Sequence, residues 1–161
     1  MPSVPVVISG PGSSKEKMKL IVCVDDNWGM MFNHRRQSQD AAVRADMLCM
    51  TGKQKLFVSP YTAGQFAEAE QERLHISECF LQETKAGEYC FVEDPALLSG
   101  ELRPEELVLY GWNRGYPADG YFTPPGQDYT LISYESMVGT SHPQLWKKVY
   151  KRGKRCGKSV C

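Results

Sequence analysis

Apolar residues along this chain fall into short runs of two kinds. Lys19 to Val24 (KLIVCV) is unbroken and rich in β-branched residues, the pattern of a central strand buried on both faces. Lys55 to Ser59 (KLFVS), stopped by Pro60, Gly87 to Glu93 (GEYCFVE) and Leu107 to Trp112 (LVLYGW) read as further strands. Between the first two strands the period changes. Val43, Met47 and Met50 stand four and three residues apart, with Leu48 widening the stripe, so a helix with one apolar face is predicted. Ser38 or Asp40 can cap its start, and Gly52 ends it.

Asp25 to Gly29 (DDNWG) is a turn by composition, after which Met30, Met31 and Phe32 give way to a polar loop, Asn33 to Gln39. Thr62 to Arg73 reads as a second helix, Leu74 to Ile76 and Cys79 to Leu81 as short elements, and Asp94 to Arg103 as a short helix or loop. Thr130 to Tyr134 and Leu145 to Tyr150 alternate nearly enough for a terminal antiparallel pair. The strand-loop-helix-strand stretch from Met18 to Thr62 is the unit around which the rest is expected to be built, its two strands side by side.

Composition narrows the class. The chain has 161 residues, 42% of them hydrophobic and 24% charged, a balance that suits one soluble α/β domain, placed at residues 18–151. Residues 1–17 carry Pro, Gly and Ser and read as a leader or linker, with an edge strand at Val4 to Ile8 as the alternative. Net charge is zero, so the whole-protein field gives no reason to expect nucleic acid or an anionic membrane. Basic residues crowd the end, from Lys147 to Lys158, and residues 152–161 form a basic tail. That tail is either a solvated end or a dock for nucleic acid or an acidic partner. No apolar run approaches the roughly 20 residues that span a bilayer, and a cytoplasmic protein is expected.

The six cysteines show no CxxC; Cys23 and Cys49 read as small buried hydrophobes, Cys156 and Cys161 as exposed thiols. His34, His75 and His142 are far apart with no partner at ligand spacing, so no metal site is expected. Nor is there a Gly-x-Ser-x-Gly or a Cys paired with His to suggest a nucleophile.

Taken in order, these motifs resemble dihydrofolate reductase. The resemblance rests on Ile21 to Asp26, Gly29, the loop through Gln39, the phrase Met50-Thr51-Gly52-Lys53, Leu56 to Val58 and Thr62. It continues in Leu107 to Tyr110, Ala118 to Phe122, Tyr129 to Glu135 and Trp146 to Lys151. It implies a three-layer α/β sandwich, a largely parallel sheet closed by a C-terminal antiparallel hairpin. It also implies NADPH as cofactor, with Thr62 as the cofactor-contacting position, and Asp40, eleven residues after Gly29, as the pocket carboxylate that relays a proton. Tyr110 stands where the family has a Thr near that carboxylate.

The departures bear on function. The family's Gly-Arg turn appears as Ser59-Pro60-Tyr61-Thr62, without the Arg and with one amide removed by Pro. The Gly-Gly turn that leads to the pyrophosphate-binding helix is missing between Val92 and Leu107. The expectation is therefore a shortened member of the fold that has lost the dinucleotide half of its site. It would bind a small anionic, nucleotide- or pterin-like ligand through His34, Arg35, Arg36, Gln37 and Ser38, with Tyr110, Trp112 and Asn113 at a nearby strand end. A reductase using Asp40, a bland helix cap at Asp40, and an adaptor acting through the basic tail are the competing readings.

Overall fold

The computed structural model describes residues 17–98 and 102–153; the leader, with its alternative edge strand, and nearly all of the basic tail lie outside the described residues. The first strand is β1 (Lys19–Val24). The polar loop is itself a hairpin, β2 (Gly29–Phe32) and β3 (Arg35–Arg36). Helix α1 spans Ala41–Thr51, followed by β4 (Leu56–Val58) and α2 (Pro60–Ala63). After a 3₁₀ helix (Glu68–Arg73) come β5 (Leu74–Ile76), α3 (Phe80–Glu83) and β6 (Tyr89–Phe91). A second 3₁₀ helix (Pro95–Leu98) precedes β7 (Glu106–Gly111), and β8 (Gly120–Tyr121), β9 (Tyr129–Met137) and β10 (Leu145–Arg152) complete the chain.

Seven strands form one sheet in the order β5-β4-β6-β1-β7-β10-β9. Its first five strands pair in parallel, and β10 pairs antiparallel with both β7 and β9. The sheet is thus mostly parallel with an antiparallel C-terminal hairpin, as expected. The two strands expected to lie side by side are not neighbours, however: β6 lies between β1 and β4. The residues of β6 (Tyr-Cys-Phe) are buried throughout, so they take a slot with a strand on either side.

One apolar cluster lies on each face of the sheet. Ile21, Val108 and Phe91 pack with Val43, Met47 and Leu48 of α1 on one side. Leu20, Val22 and Leu109 pack with Met30, Met31 and Phe80 on the other. Alternate residues of one strand supply opposite cores, which is why KLIVCV needs no polar face. Of the stripe predicted for α1, Val43, Met47 and Leu48 are buried and Met50 is partly buried; burying each of the three contributes roughly 1.5–3 kcal/mol.

Local chemistry sets the element ends. Asp40 caps α1 by accepting from the Ala42 amide, while Gly52 stops it at φ 61° with its amide on the Leu48 carbonyl. Asn33 and His34 both take positive φ, 54° and 64°, which makes the two-residue turn of a hairpin whose strands follow the right-handed twist. That hairpin and β8 form a separate three-stranded sheet, absent from the sequence reading. The helix expected over Thr62 to Arg73 is instead the short α2 and a 3₁₀ helix, because the intervening chain turns to bury Phe66. Cys49 is exposed, one residue beyond the inward-facing Leu48, and is not the buried hydrophobe anticipated; Cys156 and Cys161 fall outside the described residues.

Between β6 and β7 the described residues hold the Pro95–Leu98 helix. Gly111, at the end of β7, pairs with Trp146, and a Cβ there would lie 1.9 Å from the indole Cε2. Gly111→Ala should therefore cost about 1–3 kcal/mol through overpacking. Urea unfolding should show a lower midpoint with an unchanged slope.

Candidate functional site

Three acidic side chains stand at the carboxyl ends of the parallel strands or beside them, and each is claimed by donors from distant parts of the chain. Asp25 ends β1 and is 2% exposed. It accepts from the Gly29 amide (2.7 Å), the Asn27 amide (2.8 Å), the Tyr116 amide (3.0 Å) and the Gln37 carboxamide (3.1 Å). Burial works against its charged form, but the Gly29, Tyr116 and Asn27 amides and Gln37 outweigh it and hold its pKa below the usual carboxylate value. This single carboxylate ties the first turn to the 115–117 loop and to the end of β3.

Glu93, just past β6, is the second. It receives Arg36 Nε (2.9 Å) and Nη2 (3.1 Å), the Thr62 hydroxyl (3.0 Å) and the Gln65 carboxamide (2.9 Å). Arg36 is held further by stacking over the Tyr61 ring at 4.3 Å and by donating to the Tyr61 carbonyl (3.0 Å). A cavity of about 320 Å³ opens beside this pair, lined among others by His34, Ser59, Tyr61, Thr62, Glu93 and Asp94. A much narrower recess, lined by Cys23, Arg36, Gln37, Ser38, Glu93 and Trp112, lies on the other side. The Cys23 thiol is pushed well up by burial and by the charge of Glu93, so it stays protonated.

Asp40 is the third, 1% exposed. Besides the Ala42 amide it accepts from the amides of Thr140 (2.8 Å), Ser141 (2.8 Å) and His142 (3.1 Å) and from His142 Nδ1 (2.8 Å). Burial raises its pKa, yet the Thr140 amide, His142, and the Ser141 and Ala42 amides prevail and bring it to about 2. An ionised carboxylate only accepts, so Nδ1 of His142 carries the proton of that bond. The other ring nitrogen, Nε2, lies 3.0 Å from Ser38 Oγ and 3.1 Å from the Tyr116 hydroxyl, and the ring stacks on Trp112 at 4.9 Å.

The residues singled out in the sequence separate accordingly. His34 and Thr62 line the larger cavity; Arg36, Gln37, Ser38 and Trp112 line the recess. Arg35 is exposed, and Asn113 is an exposed turn residue at φ 63°. Arg36 is not a free anion-binding group, because Glu93 already takes its fork. Tyr110 does not reach the cleft: it is fully buried and donates to Asp46 at 2.5 Å. Trp112, placed at a strand end for ligand binding, is 4% exposed and stacks on His142.

Asp40 is both the helix cap and more. It lines neither cavity, and a carboxylate with its oxygens occupied and a pKa near 2 is a poor proton relay at neutral pH. Of the basic end, Lys147 lies in β10 and pairs with Asp46 at 2.8 Å.

Glu93, Asp25, His142, Tyr116 and Tyr61 were not anticipated. An acid at the end of a strand was a visible signal for Glu93; nothing local marks the His of the Gly-Thr-Ser-His-Pro turn as buried. Among the described residues no group of three or more His, Cys, Asp or Glu side chains is arranged to hold a metal ion, and no helix is long and apolar enough to cross a membrane.

No family model matches the chain, and no curated protein matches it. Among solved structures it is similar to dihydrofolate reductase from Enterococcus faecalis complexed with NADP(H) and RAB-propyl, at a TM-score of 0.62 and 9% identity, over 88% of this chain and 99% of that one. The chain has a divergent dihydrofolate reductase-like fold.

The sign of the Asp40 shift fixes an acid response. Its pKa falls from the model-compound value of 3.8 to about 2 on folding, so its contribution is complete above pH 4 and is lost as pH drops from about 4 to about 2. The contribution is of the order of 2 kcal/mol. Comparing urea midpoints of the wild type and Asp40→Asn at pH 5 and pH 2.5 should show a difference at pH 5 that shrinks at pH 2.5.

Proposed function

We propose that this chain is a binding protein on a dihydrofolate reductase-like scaffold, taking a small nucleotide- or pterin-like molecule without standard NADPH-dependent reduction. The observation that carries this reading is the cavity of about 320 Å³ at the carboxyl ends of β4 and β6, where open α/β sheets hold their ligands. Its lining includes the carboxylates of Glu78, Glu93 and Asp94 and the hydroxyls of Ser59 and Thr62. Acceptors of this kind suit the ring N–H and exocyclic amino groups of a base or pterin, and they repel phosphates. The base or ring end would enter the cavity, and any anionic end would stay at the rim, beside His34.

Three features weigh against reduction by NADPH. The cation nearest the cavity is committed to Glu93, Pro60 removes an amide from the turn after β4, and Asp40 is ionised and fully occupied. A thermal-shift series over nucleosides, nucleotides, pterins and NADPH tests the reading. A base or pterin compound should raise Tm, by an amount corresponding to about 2.7 kcal/mol at a hundred times its Kd. The His34→Asn, Asp94→Ala double variant, which leaves the Glu93 network alone, should lose most of that rise. No shift with any compound, or NADPH oxidation in the presence of a dihydropterin, would sink it.

A further inference from the structure

The order Asp40, His142, Ser38 runs through one imidazole. We propose that these residues form an acyl-transfer centre that hydrolyses esters or thioesters of small acyl groups. Ser38 is the nucleophile, His142 its base, and Asp40 the positioning residue. The proposal stands apart from nucleotide or pterin binding and does not rest on it.

The geometry carries it. Asp40 is an anion saturated on every side by donors, and its Oδ2 holds His142 Nδ1 at 2.8 Å. With the proton of the Asp40 bond on Nδ1, Nε2 is the acceptor of the neutral ring, and it faces Ser38 Oγ at 3.0 Å. The His142 side chain is 3% exposed and clamped by the Trp112 ring, so its aim is fixed. Ser38 is half-buried and lines the narrow recess, on the chain just ahead of α1. Such constellations are defined by geometry and roles and recur on unrelated folds in any chain order, so the lack of a Gly-x-Ser-x-Gly does not bear on it.

Tyr116 completes the set. Its hydroxyl lies 3.4 Å from Ser38 Oγ and 3.1 Å from Nε2, and this O–H donor beside the serine is assigned to the oxyanion of the tetrahedral intermediate. The recess holds only about 10 Å³, so no more than the carbonyl oxygen of an ester enters it and the rest of the substrate stays outside.

The steps balance without a cofactor. Ser38 Oγ bonds to the acyl carbon as its proton passes to Nε2. The bond from that carbon to the leaving oxygen or sulfur then breaks, and the leaving group takes the proton. Water adds to the acyl carbon, giving its own proton to Nε2, and the acid departs as Ser38 Oγ recovers that proton.

The test uses the full chain with a fluorophosphonate probe and with p-nitrophenyl acetate. The expected result is one adduct by intact mass, mapped to Ser38 and absent from Ser38→Ala and His142→Gln. Ester turnover should fall at least 100-fold in Ser38→Ala, a variant whose melting temperature should match the wild type. Tyr116→Phe should lower kcat about 10- to 100-fold with KM little changed. Asp40→Asn should likewise lower kcat rather than raise KM, as loss of the correct tautomer does. Should Asp40→Asn or His142→Gln fail to fold, Ser38→Ala and Tyr116→Phe still decide. An unlabelled Ser38, or Ser38→Ala hydrolysing the ester at the wild-type rate, overturns the proposal.

Discussion

A carboxylate removed from water must be surrounded by donors, and much of this molecule is arranged to supply them to Asp40. Four amides and an imidazole meet at its two oxygens, and most come from the turn between β9 and β10, about a hundred positions further along the chain. That turn is pulled onto the start of α1, which places the C-terminal hairpin relative to the central strand. Gly139 shows how tight the approach is: a Cβ there would lie 2.6 Å from an Asp40 oxygen and 2.7 Å from the His142 carbonyl. Taking the carboxylate away would strand several donors at once, so the interaction costs far more to break than to lack.

Asp25 and Glu93 extend the same logic across the ends of the strands. Asp25 gathers loops that no sheet ladder reaches, and Glu93 converts Arg36 from a free cation into a wall between two concavities. In a dihydrofolate reductase-like fold the carboxyl edge of the sheet is open ground for ligands. Here that ground is divided by side chains satisfying one another. An acceptor-rich cavity remains on one side, and a much narrower recess lined by Ser38 and Trp112 on the other.

The sequence carried the framework well and the site poorly, for a physical reason. Strand interiors and the α1 stripe are written in local spacing, and both ends of α1 are set by single residues, Asp40 and Gly52. Strand order is not local: nothing within Tyr89–Phe91 says that it inserts between β1 and β4. The β2–β3 hairpin escaped notice because its turn is Asn33-His34 rather than a glycine pair. Arg36 and Ser38 were singled out as members of the polar loop expected to bind a ligand. Their partners, Glu93 and His142, lie 57 and 104 residues away, and a pairing at that separation leaves no mark in a window.

That separation also bears on how the chain is made. Residues of α1 leave the ribosome long before the Thr140–His142 segment exists, so the nascent helix starts with a cap whose other donors have yet to be synthesised. Closing a contact over 102 positions carries a loop-entropy cost that local contacts do not, and β10 must also find its place against β7 before the turn can dock. Productive folding is therefore a late event in translation, and chains that stall before the final hairpin would leave the Asp40 carboxylate at the start of α1 open to water.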